Sequence, residues 1–469
     1  MKKKIINSNS IFLVLTIILE IFMYIITKEI KSIYKLLIPL LFIYLTFSIL
    51  IINRFKKSEN ITLYIIYLLG LLLRIIYIMS TNVYTRQHDV GTLTDEGHLK
   101  YIYTLYQTSK LPLTNHSQFY HPPLWHIIAA IFLKINKLFN ISLNKSFEGL
   151  QFITTFLSSY IIIIVDKIQL NLNIKKRYRY LTNLFFALHP TLIILSGSIN
   201  NDCLLLFMES LTILNLINWE KDSNWKNTIY LALTTGLCVM SKANGIIIAL
   251  PILFTFIIKI PNKKKERINY IKKIITFATV SIPIGIWYQI RNTIKFSNNI
   301  IPTPIETLST RSHSIISRLF TIDFKNIYTI PNTFKDYNLP SFLIKSSIYG
   351  EYSYNNVKLL TNIMTTLNII LITLSILFII KYLLNKNRTY TMNILIITWI
   401  TSIIMMYIFN INYPYGCSMD FRYIAITLLP GIIIIAYTLS NLKNKYLSLI
   451  IEITCYIFFI TNIMFVYIQ

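Results

Sequence analysis

The chain has 469 residues, of which 54% are apolar and 14% charged, and its formal net charge is +26. This composition lies outside the range of soluble globular domains and predicts a polytopic membrane protein. The lysines and arginines lie in short clusters between apolar runs and form no basic stripe with interleaved aromatic residues, so we expect no nucleic-acid partner.

The first 60 residues predict two transmembrane helices. A basic head, MKKK, precedes a long apolar run with no small-residue cleavage site, which indicates a retained helix rather than a signal peptide. Basic clusters mark cytoplasmic loops, and the positive-inside rule therefore places the amino terminus in the cytoplasm. We expect this pair of helices to precede a single membrane domain over residues 61–469.

Apolar runs near the ~20 residues needed to cross a bilayer recur along the rest of the chain. The predicted spans number about thirteen by this criterion. They end near Thr27, Asn53, Ser80, Gln169, Gly197, Trp219, Ser241, Ile260, Ile290, Leu384, Asn410, Ser440 and Tyr467.

The segment PPLWHIIAAIFLKINKLF, Pro122 to Phe139, determines on which side of the membrane each later loop is predicted to lie. If it crossed the membrane, the later basic clusters would face outward, against the positive-inside rule. Its apolar run is short for a span, and we therefore predict a juxtamembrane helix on the outer surface. Residues 81–148 then form one outer loop and residues 294–360 a second, longer one.

With this predicted membrane topology, the most polar stretches of the chain all lie on the outer face. They are the loop from Thr94 to His126, the segments LHPTLIILSGSINND, SKANG and WYQIRNTIKFSNNIIPTP, the long loop to about Asn356, and the late segment NYPYGCSMDFRY. Because ionisable groups are costly at a membrane, their convergence predicts a functional site there.

The adjacent acids Asp95 and Glu96 are the candidates for a general base, since apolar surroundings can raise the pKa of a carboxyl group. The simpler interpretation is that both complement the dipole at the start of a helix. Asp202 and Asp420 could orient neighbouring cations or merely solvate a loop.

Four cationic or histidine side chains lie at predicted outer membrane edges, where cations can bind a lipid phosphate: His121, Lys242, Arg291 and Arg422. For each alone, contact with lipid headgroups is the more common explanation. Within the spans, Arg74 is costly to bury and is a functional candidate for that reason.

Helical spacing places His98 and Tyr101 on one face with Asp95, while His121 and His126 flank a double proline. These histidines make a divalent metal possible, but no ligand spacing is diagnostic of one. Nucleotide-binding motifs, including an Asp-x-Asp pair, are absent, so a phosphorylated substrate is expected to be a lipid.

The ordered series TDEGHLKY, HPPLWH, HPTLIILSGSINND, GLCVMSKANGI, IPIGIWYQIRN and CSMDFRYI resembles the membrane glycosyltransferases of the GT-C fold. The most similar groups are glycosyltransferase family 39, the protein O-mannosyltransferases, and the lipid A aminoarabinose transferases. The resemblance implies an all-α polytopic fold with outer juxtamembrane helices. It also implies a plasma-membrane enzyme with an extracytoplasmic active site.

The activity that the resemblance implies is inverting transfer of a sugar from a polyprenyl-phosphate donor to an acceptor that is a protein, a glycan or a lipid. It implies Asp95 as the general base, paired with Glu96. Contact with the donor phosphate is implied for His121, Lys242, Arg291 and Arg422. Asp202 matches a second outer-loop acid of the family, while His98, His126 and Asp420 are expected to support the site.

Two other interpretations stay open from the sequence. A secondary transporter would place its ionisable residues near the midplane within repeated halves, whereas the charged motifs here cluster in outer loops and no internal repeat is visible. A polymerase or ligase of lipid-linked glycans would use a similar donor at the same membrane face.

Overall fold

The computed structural model describes residues 8–27, 33–85, 88–93, 97–114, 117–296, 312–333, 335–350 and 357–468, and these residues contain eighteen α-helices and no β-strand. The first nine helices are α1 (Ser8–Thr27), α2 (Ile33–Phe55), α3 (Ile61–Ser80), α4 (His98–Thr108), α5 (Leu124–Leu138), α6 (Leu143–Gln169), α7 (Lys176–Leu188), α8 (Pro190–Ser196) and α9 (Asp202–Lys221). The others are α10 (Trp225–Ser241), α11 (Ala249–Ile258), α12 (Lys264–Phe296), α13 (Ile315–Leu319), α14 (Leu339–Tyr349), α15 (Lys358–Leu383), α16 (Tyr390–Asn412), α17 (Leu428–Asn441) and α18 (Lys445–Ile468).

Within this described part, nine helices are long and apolar enough to cross a membrane. They are residues 8–26, 61–80, 143–172, 202–221, 264–296, 358–383, 390–412, 416–441 and 445–466. Two shorter apolar helices, residues 39–55 and 243–258, add to them. The prediction of a multi-pass all-α protein is confirmed, but the count of thirteen spans is not.

One interrupted helix and three short helices account for that difference. The apolar run that was predicted to end near Gly197 is divided into α7 and α8 at the pair His189 and Pro190, and α10 has only 17 residues. Helix α5, the predicted juxtamembrane segment, has 15 residues and is also too short to cross a bilayer.

Arg74 of α3 stabilises the break between α7 and α8. Proline has no backbone N–H, so Pro190 cannot complete the hydrogen-bond ladder of α7. The buried Arg74 guanidinium instead donates to the carbonyl oxygens of Phe186 (3.0 Å) and Ala187 (2.9 Å), and its Nε donates to Ser158 Oγ at 2.9 Å. These contacts give the costly arginine a structural role within the apolar core.

The centre of the bundle is formed by α3, α6 and α7, which pack against one another, and by α9, which packs against α6. Helix α10 lies between α9 and α12, and α15, α17 and α18 pack together on the other side, near α7. Helices α1 and α2 cover α3 and α6, with the ring of Phe12 stacked 4.1 Å from that of Tyr64. The division into residues 1–60 and 61–469 stays a prediction.

The described part of the predicted long outer loop, residues 312–333 and 335–350, is folded around one buried ion pair. Lys345 of α14 is fully buried, and its Nζ lies 2.8 Å from Asp336 Oδ2. The same ammonium donates to Asn326 Oδ1 at 3.1 Å and to Thr329 Oγ1 at 3.2 Å. Burial lowers the Lys345 pKa, and the contact with Asp336 opposes that shift. Helix α14 also packs against residues 416–427, which carry Arg422, and the Phe421 backbone N–H donates to Ser346 Oγ at 3.0 Å.

Candidate active site

Asp202 and Lys242 form the buried centre of the candidate site. Asp202 is the first residue of α9, and Lys242 follows the last residue of α10 in an extended conformation. Asn201 Nδ2 donates to the carbonyl of Ser241 at 2.9 Å, which joins the two helix ends. The Lys242 ammonium consequently donates directly to Asp202 Oδ1, with side-chain exposures of 7% and 1%.

Arg422 enters the same cluster from the turn that precedes α17. Asp420 Oδ1 accepts a hydrogen bond from the Arg422 backbone N–H at 2.8 Å, which shapes this turn. The Arg422 guanidinium lies between three carboxylates: 3.4 Å from Asp89 Oδ2, 3.7 Å from Asp202 Oδ2 and 4.0 Å from Asp420 Oδ2. The ring of Tyr423 lies under both Arg422 and Lys242. The predicted residues Lys242, Arg422, Asp202 and Asp420 are thus in one place.

Asp89 is a member of the cluster that the sequence prediction missed. Its Oδ2 contacts both Arg422 Nη1 and His98 Nε2, the latter at 3.5 Å. Burial alone would raise the Asp89 pKa, but Arg422 and His98 together hold it well below its usual range. The sequence HDV at positions 88–90 could have indicated this acid. An acid beside a histidine in an outer loop is as unusual as the acid pair six residues later.

Three histidines form a stack beside Asp89. The rings of His121 and His126 lie 5.5 Å and 5.2 Å from that of His98, and both are nearly parallel to it. His98 Nδ1 lies 2.9 Å from His126 Nε2, at hydrogen-bond distance, and the ring of Tyr101 stacks on that of His126 at 3.9 Å.

The proton state of this stack follows from its burial. Burial lowers the pKa of His121 and His126 well below 6.5, and the neighbouring Lys242 adds to the shift for His121. Both histidines are therefore neutral near pH 7.

Gly97 brings the loop of Asp89 onto the start of α4. Its φ of +144° is strained for other residues, and a Cβ atom there would lie 2.4 Å from the carbonyl oxygen of Val90. Trp125 of α5 is fully buried, and its indole N–H donates to the carbonyl of Ile199, which ties α5 to the loop before α9. These two contacts hold the histidines against the Asp202 side of the cluster.

Arg291 lies at the edge of the site, within α12. Its Nη2 donates to the carbonyl of Pro112 at 2.7 Å, and its Nη1 donates to Asn292 Oδ1 at 2.7 Å. A hydrogen bond of 2.9 Å between the hydroxyls of Tyr101 and Tyr288 connects this edge to the histidine stack. No contact joins Arg291 to Lys242 or Arg422 among the described residues.

Asp95, the predicted general base, and its neighbour Glu96 lie outside the described residues. In the described part of the chain, no group of three or more histidine, cysteine, aspartate or glutamate side chains is arranged to hold a metal ion. None of the four cysteines forms a disulfide, and three of the four are buried.

The sequence of residues 65–298 matches the family model of dolichyl-phosphate-mannose-protein mannosyltransferases. Over these residues the chain is a member of that family. The match covers about half of the chain and includes Asp89, the three stacked histidines, Asp202, Lys242 and Arg291, whereas Arg422 lies beyond it. It confirms the predicted resemblance to the protein O-mannosyltransferase family. No curated protein matches the sequence.

Solved structures with the same fold include the Archaeoglobus fulgidus oligosaccharyltransferase in the apo form, with a TM-score of 0.50 and 11% identity over 87% of this chain and 56% of that one. ArnT from Cupriavidus metallidurans bound to undecaprenyl phosphate aligns with a TM-score of 0.36 and 10% identity, over 87% of this chain and 77% of that one. The chain spans about half the length of the oligosaccharyltransferase structures that it matches. The predicted GT-C-like fold class is confirmed.

Proposed function

We propose that this chain transfers a sugar from a polyprenyl-phosphate-linked donor to an acceptor hydroxyl at the outer face of the plasma membrane, with inversion. The observation that supports this most directly is the convergence of Lys242 and Arg422 with the acids Asp89 and Asp202, from three distant parts of the sequence, at one end of a membrane bundle. The family that matches residues 65–298 is named for a dolichyl-phosphate-mannose donor, which has the same lipid phosphate chemistry.

The proposed reaction forms a bond between the acceptor oxygen and the anomeric carbon while the bond from that carbon to the phosphate oxygen breaks. Negative charge then develops on the phosphate, and preorganised cations stabilise it best when they are already in place. Arg422 and Lys242 are assigned this role, and His121 and Arg291 are assigned to the rim of the donor site.

A general base must accept the proton that the acceptor hydroxyl loses. We assign this role to Asp95, with Glu96 beside it. His98, His126, Asp202 and Asp420 hold the neighbouring charged groups in position through the contacts described above. This assignment needs no bound metal.

The proposal sets the cluster on the extracytoplasmic side, with the amino terminus in the cytoplasm. The donor's isoprenoid tail cannot leave the bilayer, so its phosphate and sugar must be reached at headgroup level. The donor's tail is then surrounded by membrane lipids. The acceptor approaches from the extracytoplasmic side.

The test uses purified protein in liposomes with undecaprenyl-phosphate-mannose and a panel of other undecaprenyl-phosphate sugars, each labelled in the lipid. Membranes from cells that lack the gene supply acceptors. We expect release of labelled undecaprenyl phosphate from at least one donor. Asp95→Asn should lower the rate by about 100-fold or more, the usual contribution of a general base.

The exposed outer-loop variant Asp323→Asn removes the same charge from a position outside the cluster and should keep the wild-type rate. Full turnover by Asp95→Asn would disprove that base. If no donor in the panel lost its sugar, or if the intact labelled donor merely crossed the liposome membrane, the enzyme proposal would be wrong and a transporter would be favoured.

A further inference from the structure

The part of the long loop that precedes α14 has an apolar surface. Residues 315–328 bury Leu319 and Ile327 but leave six other apolar side chains between 40% and 72% exposed. The six, which we call the apolar patch, are Ile315, Ile316, Phe320, Ile322, Phe324 and Tyr328. The exposed charges in this stretch are one acid, Asp323, and one base, Lys325. Apolar surface concentrated in this way marks a site of interaction with a membrane or a protein.

Two contacts place the patch beside the membrane spans α15 and α16. The ring of Phe320 lies 5.5 Å from that of Tyr407 in α16. The hydroxyl of Tyr328 lies 3.2 Å from Thr366 Oγ1 in α15. Helical spacing puts each partner on the same face as exposed apolar side chains of its own span. These side chains are Ile404, Ile408 and Ile411 in α16, and Leu359, Ile363 and Ile370 in α15. The patch is therefore continuous with the lipid-facing surface of two spans.

The same contacts give the level of the patch in the bilayer. Helices α15 and α16 form a hairpin that is joined by residues 384–389. Thr366 and Tyr407 each lie seventeen residues from the helix end that meets this connection. At a rise of ~1.5 Å per residue the distance is about 26 Å, slightly less than the ~30 Å thickness of a hydrocarbon core. The connection contains the basic residues Lys386 and Arg388 and so lies outside the core. The patch consequently lies near the opposite boundary of the core.

The backbone of this stretch is paired within the protein. Asp323 Oδ1 accepts the backbone N–H groups of Lys325 at 3.0 Å and Asn326 at 3.1 Å. The Asp323 carbonyl accepts the N–H of Ile327 at 3.1 Å, and its own N–H donates to Ser341 Oγ at 2.9 Å. Other backbone N–H groups that donate within the loop are those of Ser317, Arg318, Phe320, Tyr328 and Thr329. A segment at the edge of the hydrocarbon needs such pairing, because lipid tails offer no hydrogen-bond partners.

We propose that the apolar patch inserts into the boundary between headgroups and acyl chains of the adjacent lipid leaflet. The side chains of the patch contact lipid tails, and Lys325 extends to the headgroups. The candidate active site lies at the same level, because the ring of Tyr423 lies 5.7 Å from that of Phe409, two residues from Tyr407 in α16. The patch thus holds the loop, and with it the neighbouring turn of Arg422, at headgroup level. This inference goes beyond the proposed function and does not depend on it.

The test measures the depth of spin labels in the purified full-length protein in phosphatidylcholine nanodiscs. Cys417→Ser removes the one native thiol that is not buried. In this background Ile316→Cys and Phe324→Cys carry the label in the patch. Ile408→Cys carries it on the exposed face of α16 at the same level, and Lys335→Cys at an exposed position of the same loop. Electron paramagnetic resonance compares the collision of each label with oxygen, which concentrates in lipid, and with a water-soluble nickel chelate.

Both patch labels should give an oxygen-to-nickel collision ratio close to that of Ile408→Cys and higher than that of Lys335→Cys. A ratio equal to that of Lys335→Cys would show that the patch faces water and would overturn the proposal. Low collision with both reagents would show that protein, such as a second copy of this chain, covers the patch, and would overturn it as well. Size-exclusion profiles verify that each variant is folded. A lipid-exposed patch in a protein that transfers no sugar would disprove the proposed function alone.

Discussion

Replacing Lys242 by methionine tests whether the centre of the site is a true buried ion pair. The change would leave the Asp202 carboxylate, which is 1% exposed, without its direct partner. Breaking a buried pair by removing one member costs about 3–5 kcal/mol, because the other charge stays desolvated. Arg422 lies 3.7 Å from the same carboxylate, an attraction of about 4 kcal/mol at an effective dielectric constant near 20. We therefore expect a loss near the lower limit, about 3 kcal/mol.

The assay is a double-mutant cycle of the free energy of unfolding in detergent micelles, monitored by tryptophan fluorescence. Asp202→Asn should also destabilise the protein, because it leaves the Lys242 ammonium buried without its carboxylate. The double variant Lys242→Met/Asp202→Asn should lose less than the sum of the two, with a coupling of about 2 kcal/mol. If the two losses were additive within about 0.5 kcal/mol, the direct pairing of these side chains would be refuted.

Three further predictions follow from the same contacts. Arg74→Met should lower the free energy of unfolding by about 3 kcal/mol, since it leaves buried carbonyl oxygens without donors; Arg74→Lys should restore only part of this, and a neutral effect of the methionine would contradict the structure. Gly97→Ala should weaken undecaprenyl phosphate binding by about tenfold or more while the protein still inserts into membranes, because the added Cβ would displace the loop of Asp89. Because folding lowers the pKa of His121 and His126, their neutral forms stabilise the fold fully above pH 6.5, and the melting temperature should fall as the pH decreases from 7.5 to 5.5. The loss is at most about 1.4 kcal/mol per histidine per pH unit, and His126→Gln should make the curve flatter; an identical slope in that variant would argue against its burial as a neutral ring.

The site illustrates what residue patterns can and cannot identify. Lys242, Arg422, Asp202 and Asp420 were predicted because charged side chains at membrane edges are conspicuous, and the structure brings all four together. Asp89 was missed because the acid pair Asp95 and Glu96 matched a familiar pattern. No local feature of the sequence shows that Asp89, rather than another loop acid, contacts Arg422 more than 300 residues away.

The amino-acid sequence by itself determined the membrane class and the residues near which most of the predicted spans end, but not the number of spans. These depend on local physics: a bilayer requires an apolar run of a fixed length, and prolines and polar clusters interrupt it. The tertiary structure alone decided which charges pair, that Arg74 caps a broken helix and that Asp89 shares Arg422 with two other acids. Such contacts depend on distances between helices that are far apart in sequence, and those distances are set by side-chain packing rather than by any periodic pattern.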